Sequence, residues 1–400
     1  MGNNSKKILI ILIILLFFFL LYAFVVSVYA YPITTFEEAK VKYYKNKNPI
    51  NLENVIEENT KIEKAEKIIV EDMDLEYKTL YRENSKMPNG YFRVVQIGEN
   101  GKQSAILKQS YENNNLLKEE LVSTNVTKNS TEKIIEIGTG KGFIDDKVEE
   151  GNIVFVSANN LKLKANQDIN SYNLRNLPEN LELEILEIYD NWYYVSTGNE
   201  EGFVIKEGVS KYNPSKDYTI AQSDNSVYSR EELLDTLDFN MDVGKQSNLS
   251  LEQFEKMFEN ISYDTNDVFK NNAKYFYYAE EQYDINGVFL AAIGVHESAW
   301  GTSSIARNKN NLFGFCAYDA DPYNSATNFE TYAEGIDLVA RVLKKNYLSP
   351  AGTVLPDGST ASGRYHSGNT ISSVNVHYAT DKNWANCVYT WMQKLYQEIP

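Results

Sequence analysis

The chain has 400 residues, is 43% hydrophobic and carries a formal net charge of −16 at pH 7. This acidity argues against a nucleic-acid partner, because nucleic-acid binders carry basic patches that displace phosphate counterions. The length predicts two to four domains with buried cores. Three histidines and two cysteines, with no CxxC pair, argue against a structural zinc site, and we expect no metal and no cofactor.

An apolar run at 8–26 follows two lysines near the N-terminus. The run is long enough to span a membrane, and Val28 and Ala30 also provide the small side chains of a signal-peptide cleavage site. Residues 1–30 are therefore predicted to be a signal peptide or a membrane anchor, with membrane contact through residues 8–28 if they stay uncleaved. Under both interpretations the flanking lysines place the rest of the chain outside the cell, in the wall or anchored and facing outward.

A polar segment at 31–67 is interpreted as a stalk, with a helix at 35–45, and a region of alternating strands follows at 68–140. Asn100 and Gly101 predict a turn, because Asn-Gly favours positive φ in hairpins. The strands of this region are expected at 91–98, 104–107, 117–126 and 134–138.

This strand region resembles the five-glycine (G5) domain of wall-associated bacterial proteins. The similarity rests on V-V-Q at 94–96, N-G at 100–101 and E-K-I-I-E-I-G-T at 132–139. The sequence departs from the family at 113–115, where N-N-N stands in place of a glycine. The resemblance implies an elongated spacer or a glycan-adhesion module, and we expect the spacer.

A second β-rich region, at 151–210, resembles a bacterial SH3-like domain. W-Y-Y-V at 192–195 and G-F-V at 202–204 correspond to that family's W-Y-x-V and G-[FY]-V marks. The resemblance implies binding of the cell wall through this module and the G5-like one. The alternative is that the two rings, Trp192 and Phe203, form the core of a small barrel.

A helical domain is expected at 241–400, after a linker at 211–240, and a capping box at 250–253 marks its start. Residues 288–295 are apolar nearly all round, which predicts a buried helix that ends beside Glu297. Burial beside an aromatic ring raises the pKa of a glutamate, as a general acid for a glycosidic oxygen requires. A cap or an ion pair at the helix end is the alternative role.

Three ordered motifs include or follow this glutamate: E-S-A-W-G-T-S at 297–303, N-N-L-F-G at 310–314 and Y-A-T-D-K-N-W-A at 378–385. Together they resemble the endo-β-N-acetylglucosaminidases of glycoside hydrolase family 73. The resemblance implies a lysozyme-like α+β fold and cleavage of the β-1,4 bond after N-acetylglucosamine in the glycan strands of peptidoglycan. It also implies that Glu297 is the proton donor.

The same resemblance implies further site residues. Tyr378 corresponds to a tyrosine near the cleaved sugar, and packing at a helix end is its alternative role. A buried Asn311 needs hydrogen-bond partners and can therefore brace its loop instead of contacting substrate. The expected substrate-binding residues are Trp300, Asn310, Asn311, Phe313 and Tyr332.

Glu330 is the candidate second carboxylate, and Asp319 and Asp321 compete with it. Glu330 also precedes a predicted helix at 333–345, where an acidic residue simply favours the helix dipole. Three mechanisms stay open: a carboxylate activates water, a carboxylate attacks as the nucleophile, or the acetamido oxygen of the substrate attacks.

Other functions also stay open. An N-acetylmuramidase or a lytic transglycosylase would use the same fold, and a non-enzymatic wall adhesin would use only the β-rich modules. A thiol peptidase would pair Cys316 or Cys387 with His377, and the two cysteines either form a disulfide or stay free. The predicted fold class is multidomain: two small all-β modules between an N-terminal signal or membrane helix and a C-terminal α+β lysozyme-like domain.

Overall fold

The computed structural model describes residues 64–141, 147–215, 228–317 and 322–400. The predicted signal peptide or anchor, the stalk helix, Asp319 and Asp321 lie outside the described residues. The chain forms two compact units, which consist of residues 1–67 with 108–119 and of residues 68–107 with 120–400. No helix in the described ranges is both long enough and apolar enough to cross a membrane.

In the described part of the chain, thirteen strands precede nine helices. The strands are β1 (Lys64–Leu75), β2 (Thr79–Pro88), β3 (Phe92–Gln96), β4 (Gly101–Glu112), β5 (Asn115–Lys128), β6 (Lys133–Gly140), β7 (Ile153–Val156), β8 (Lys162–Lys164), β9 (Asn173–Asn176), β10 (Glu182–Ile188), β11 (Trp192–Ser196), β12 (Glu201–Ile205) and β13 (Val209–Ser210). The helices are α1 (Arg230–Thr236), α2 (Leu251–Met257), α3 (Val268–Tyr283), α4 (Gly287–Ser298), α5 (Ser304–Lys309), α6 (Pro322–Ser325), α7 (Tyr332–Asn346), α8 (Ile371–Tyr378) and α9 (Trp384–Gln397).

The described residues of the smaller unit include the end of the β4–β5 hairpin. Asn113 and Asn114 lie at its turn with φ of 50° and 65°. Asparagine tolerates this left-handed conformation better than most side chains, because its short amide can hydrogen-bond locally. The asparagines therefore take the conformation that the glycine of the G5 pattern would otherwise supply.

The strands form three sheets with the orders β1-β4-β5, β2-β6-β3 and β13-β7-β10-β11-β12-β8-β9. In the second sheet β2 runs parallel to β6, and β3 runs antiparallel to it. Val94, Ile135 and Ile137 are buried on one face of this sheet, as the period of two in the sequence predicts. Gly138 lies so close to β2 that a Cβ atom would come within 1.8 Å of the Pro88 carbonyl oxygen, so only glycine fits there.

The seven-stranded sheet has its own buried face. Leu183 and Ile185 alternate along β10 and pack with Val195 into the core of the β-rich region. Trp192 is buried in the same core, whereas Phe203 is only half-buried. The core role that the sequence left open for these two rings therefore holds for Trp192.

The C-terminal region is helical, and its one β feature among the described residues is an isolated bridge between Val354 and Thr360. The capping box of α2 is present: the Ser250 hydroxyl accepts from the Gln253 amide, and the Gln253 side chain accepts from the Ser250 amide. The predicted buried helix is α4, whose residues from Gly287 to Val295 are all buried.

Contacts between the G5 strands and the helices correct the prediction of a spacer. The core of the β-rich region also contains Tyr278 of α3 and Leu251 of α2. Phe92 lies edge-on to Tyr278 with ring centroids 5.8 Å apart, and Tyr81 packs against Tyr275 at 5.0 Å. The spacer interpretation is wrong for strands β2, β3 and β6, because α3 presents tyrosines to them and the two regions share one core.

Candidate active site

Helix α4 carries Glu297 in its last turn. The helix begins at Asn286, whose side-chain oxygen accepts from a backbone amide of the first turn at 2.8 Å. It ends because Ala299, Trp300 and Gly301 all have positive φ, at 50°, 60° and 72°. A residue in the left-handed backbone conformation commonly ends a helix. The buried helix therefore ends at the edge of the core, where Glu297 lies.

The Glu297 side chain is exposed, and its carboxylate accepts a hydrogen bond from α9. The indole nitrogen Nε1 of Trp384 donates to Glu297 Oε1 at 2.7 Å. Trp384 is the first residue of α9 and is only 2% exposed, so this donor is fixed by packing. The predicted burial of Glu297 is wrong, because the residue lies on the outward side of the last turn of α4.

Tyr378, the last residue of α8, lies next to this pair. Its ring centroid is 4.8 Å from that of Trp384 and 5.8 Å from that of Tyr347. Burial, and then the negative charge of Glu297, raise the pKa of Tyr378 well above its ordinary value. The phenol therefore keeps its proton at neutral pH and can donate a hydrogen bond beside the candidate acid.

Glu330 lies in a different environment. Its side chain is 69% exposed, and its Oε1 accepts from the ammonium group of Lys78 at 2.7 Å. The hydrogen bond and the charge of Lys78 lower the pKa of Glu330. No hydrogen bond between described residues joins Glu330 to Glu297, so the structure holds the two candidate carboxylates separately, one by α9 and one by a residue that precedes β2.

The N-N-L-F-G loop braces the segment before α7. The Asn310 side chain donates to the carbonyl oxygens of Phe329 and Glu330 at 3.0 and 3.1 Å. Asn311 is buried and donates to the carbonyls of Phe315 and Thr327 at 3.0 and 3.1 Å. Both amides hold backbone, which is the bracing role that the sequence left open for Asn311.

The aromatic residues predicted to bind substrate differ in exposure. Trp300 is 5% exposed and packs against Phe269 and Trp391, and Phe313 is buried in the same core. The burial of these two rings does not support a substrate-binding role for them. Tyr332 is half-buried at the first position of α7, and burial raises its pKa.

Two contacts of the site escaped prediction from the sequence. Trp384 belongs to the Y-A-T-D-K-N-W-A motif, so its position was a usable signal, although the motif does not say which atom the indole reaches. Lys78 carries no such signal, because 252 residues separate it from Glu330.

Cys316 and Cys387 are free thiols in the structure. The Cys387 sulfur accepts from the Asn383 side chain at 3.4 Å. Within the described ranges, no three histidine, cysteine, aspartate or glutamate side chains are grouped to hold a metal ion.

Glycoside hydrolysis commonly uses two carboxyl groups that flank the cleaved bond, and Glu297 and Glu330 are the two candidates in this domain. Comparison with known families agrees. Residues 273–397 match the glucosaminidase family, described as mannosyl-glycoprotein endo-beta-N-acetylglucosaminidase, and residues 66–140 match the G5 domain. The chain therefore contains a glucosaminidase-family domain and a G5 domain.

Two curated relatives from Streptococcus pneumoniae, from serotype 4 and from strain R6, are each named "Putative endo-beta-N-acetylglucosaminidase". Each is 35% identical over 158 residues, which is 40% of this chain but 22% and 21% of the respective relative. The chain thus matches about a fifth of the length of these relatives.

Solved structures with similarity include S. aureus Autolysin E in complex with the disaccharide NAG-NAM, at 17% identity over 46% of this chain and 82% of that one, with a TM-score of 0.30. An IgA1 protease G5 domain is 27% identical over 20% of this chain and 96% of that one, with a TM-score of 0.13. TM-scores this low carry no functional inference.

Proposed function

We propose that the protein is a glycoside hydrolase that cleaves the β-1,4 bond after N-acetylglucosamine in the glycan strands of peptidoglycan. One observation carries the proposal: Glu297 ends a buried helix within the glucosaminidase-family segment, and its carboxylate is fixed by the indole of Trp384 at 2.7 Å. One oxygen is engaged by the indole, and the exposed group can exchange a proton with a glycosidic oxygen bound beside it.

Glu297 acts in this proposal as the proton donor, and Tyr378 donates a hydrogen bond next to it. The group that attacks the anomeric carbon is one of three. Glu330 activates water, Glu330 attacks directly, or the acetamido oxygen of the substrate attacks. The charge of Lys78 favours the ionised form of Glu330, which both of the first two mechanisms require.

The β-rich modules and the N-terminal segment would place this activity at the cell wall. We infer that the G5 domain and the seven-stranded sheet, as an SH3-like module, contact the wall, and that residues 1–30 direct the chain across the membrane. Protease added to intact, wall-stripped cells should degrade the chain from residue 31 onward. Protection of the C-terminal domain would contradict this location.

The activity is tested by digestion of purified peptidoglycan, borohydride reduction and mass analysis of the new ends. We expect reduced N-acetylglucosamine at those ends. Reduced N-acetylmuramic acid would identify a muramidase, and anhydro ends a lytic transglycosylase. No cleavage at all would favour an adhesin.

The matched variants are Glu297→Gln and Glu252→Gln. Glu297→Gln keeps shape and hydrogen bonding but cannot donate a proton, so its turnover should fall by about a hundredfold or more. Glu252, exposed on α2 and paired with Lys256, lies outside the site, and its variant should keep full activity. Near-normal activity of Glu297→Gln would end the proposal for this residue.

A further inference from the structure

One face of helix α7 is covered by the G5 domain. Asp337, Arg341 and Lys345 follow one another at intervals of four residues, so they lie on the same side of the helix. Asp337 is 1% exposed and Arg341 is 3% exposed. Two charged side chains of the glucosaminidase-family domain are therefore buried against another module, which requires that this module satisfy their hydrogen bonds.

The buried carboxylate of Asp337 accepts from three hydroxyl groups. Thr79 Oγ1 donates at 2.6 Å and the Tyr81 hydroxyl at 3.1 Å, and both residues belong to β2 of the G5 domain. The third donor is the hydroxyl of Tyr283 on α3, at 3.0 Å from each carboxylate oxygen. Strand β2 thus supplies two of the three donors.

The two terminal nitrogens of the Arg341 guanidinium donate to the segment just before β2. They donate to the Tyr77 carbonyl at 2.7 Å and to the Glu76 carboxylate at 2.8 Å. The guanidinium carbon also lies 3.5 Å from the centroid of the Tyr77 ring, which is a close cation–π contact.

The same segment reaches the start of α7. Lys78 is bonded to Glu330 at 2.7 Å and lies 3.9 Å from Glu334. Residues 76–81 therefore contact Glu330, just before α7, and a series of α7 side chains from Glu334 to Arg341. On its other side α7 contributes Ile336 and Val339 to the core that also contains α4, the helix of Glu297.

We propose that residues 76–81 of the G5 domain are a positioning element of the active site: Thr79 and Tyr81 fix α7 through Asp337, and Lys78 orients Glu330. The G5 domain then has a role in the chemical step that is separate from any adhesion to the wall. The inference rests on the proposed glycosidase function, because Glu330 and Glu297 act together only in that function.

The test uses the full chain and a soluble peptidoglycan fragment, whose hydrolysis does not depend on adhesion to intact walls. The variants are Lys78→Met, which removes the cation from Glu330, and Thr79→Val, which removes one donor to Asp337 and keeps the shape. The control is Lys274→Met, because Lys274 joins α3 to Glu83 of the same G5 domain at 2.6 Å, a pair that involves neither Glu330 nor Asp337. Melting temperatures are measured first, and all rates are taken well below them.

Both test variants should lower kcat about threefold or more with little change in KM, since small misplacement of a reacting group affects rate more than binding. Lys274→Met should leave kcat unchanged. The conservative variants Lys78→Arg and Thr79→Ser, which keep the cation and the hydroxyl, should retain most of the kcat of the unmodified chain; they are the restoring variants. Binding to intact walls should be the same for all of them.

Equal kcat for Lys78→Met, Thr79→Val and Lys274→Met would overturn the inference and leave the proposed function standing. Equal losses in all three, without recovery in the restoring variants, would also overturn it, because that pattern means general loosening of the module. An unmodified chain that fails to cleave the glycan would instead refute the proposed function itself.

Discussion

The indole of Trp384 directly orients the carboxylate of Glu297 through a hydrogen bond of 2.7 Å. Trp384→Phe keeps an aromatic ring in the core and removes the donor. Hydrogen bonds to charged groups contribute about 1.5–3 kcal/mol, so we expect kcat to fall by about tenfold or more while the chain stays folded. Trp391→Phe, on the same helix and packed against Trp300, is the control. Steady-state kinetics on soluble glycan with a thermal melt of each variant distinguishes orientation from stability.

Glu330→Gln separates the open mechanisms. If Glu330 activates water or attacks the sugar, kcat should fall about as far as in Glu297→Gln, by roughly a hundredfold. If the acetamido oxygen attacks, the loss should stay at about tenfold or less. Asp319→Asn and Asp321→Asn are controls for a misassigned carboxylate. A large loss in either of them, with an active Glu330→Gln, would move the role to that aspartate.

At the level of single residues, the sequence motifs suggested Glu297 and Tyr378 for the same site, included Trp384 without giving it a role, and could not predict the exposure of these side chains. Burial of Glu297 was predicted from the apolar helix before it, yet the left-handed turn at Ala299 leaves its side chain outside. A positive φ at an alanine and a tryptophan has no signal in composition or periodicity, because these residue types rarely adopt it.

A buried glutamate side chain, that of Glu280 on α3, contacts the start of helix α4. Glu280 accepts from the Gly287 amide at 2.5 Å and from the Ser247 hydroxyl at 2.9 Å, and burial raises its pKa to about 8. The folded chain therefore keeps this proton up to about pH 8, whereas the unfolded chain releases it near the ordinary value of 4.5. Stability must fall as the pH rises through this interval, because the unfolded state binds fewer protons there.

Glu280→Gln should remove this contribution to the pH dependence, since the amide resembles the protonated acid in shape and cannot ionise. Melting temperatures of the variant between pH 5 and 8 should change less than those of the unmodified chain. Glu252→Gln, at an exposed position, should follow the unmodified chain. An unchanged slope in Glu280→Gln would mean that Glu280 is ionised in the folded state.

Among the elements, those with strong periodicity were predicted well and those set by tertiary contacts were not. The capping box of α2, the buried α4 and strand β6 follow from side-chain patterns within one segment. The parallel pairing of β2 with β6 joins residues about fifty positions apart, and local sequence carries no information about such a pairing. Among the described residues, the β part of the expected α+β domain is the bridge between Val354 and Thr360.

For the whole molecule, the sequence suggested domains connected in series, whereas strands β2, β3 and β6 of the G5 domain pack on the helices. The residues that join them look like ordinary surface residues in the sequence: a threonine and two tyrosines on one side, an aspartate and an arginine on the other. Their complementarity exists only after both modules have folded, because it combines strand spacing with helical spacing.

Shared contacts of this kind predict how truncation acts. A fragment of residues 228–400 would expose Tyr278 and leave Asp337 with one of its three donors. Each unsatisfied buried polar group costs about 1–3 kcal/mol unless water reaches it. We therefore expect the fragment to melt more than about 5 °C below a chain of residues 64–400.

Asp337→Asn in the longer chain keeps the size of this residue and weakens the same contacts, so its melting temperature should lie between those of the two chains. Limited proteolysis should cleave the fragment first near α7, the helix that has lost its cover. A fragment as stable and as protease-resistant as the longer chain would show that the helical domain is self-sufficient. The G5 domain would then be a docked neighbour that contributes nothing to the stability of the helices.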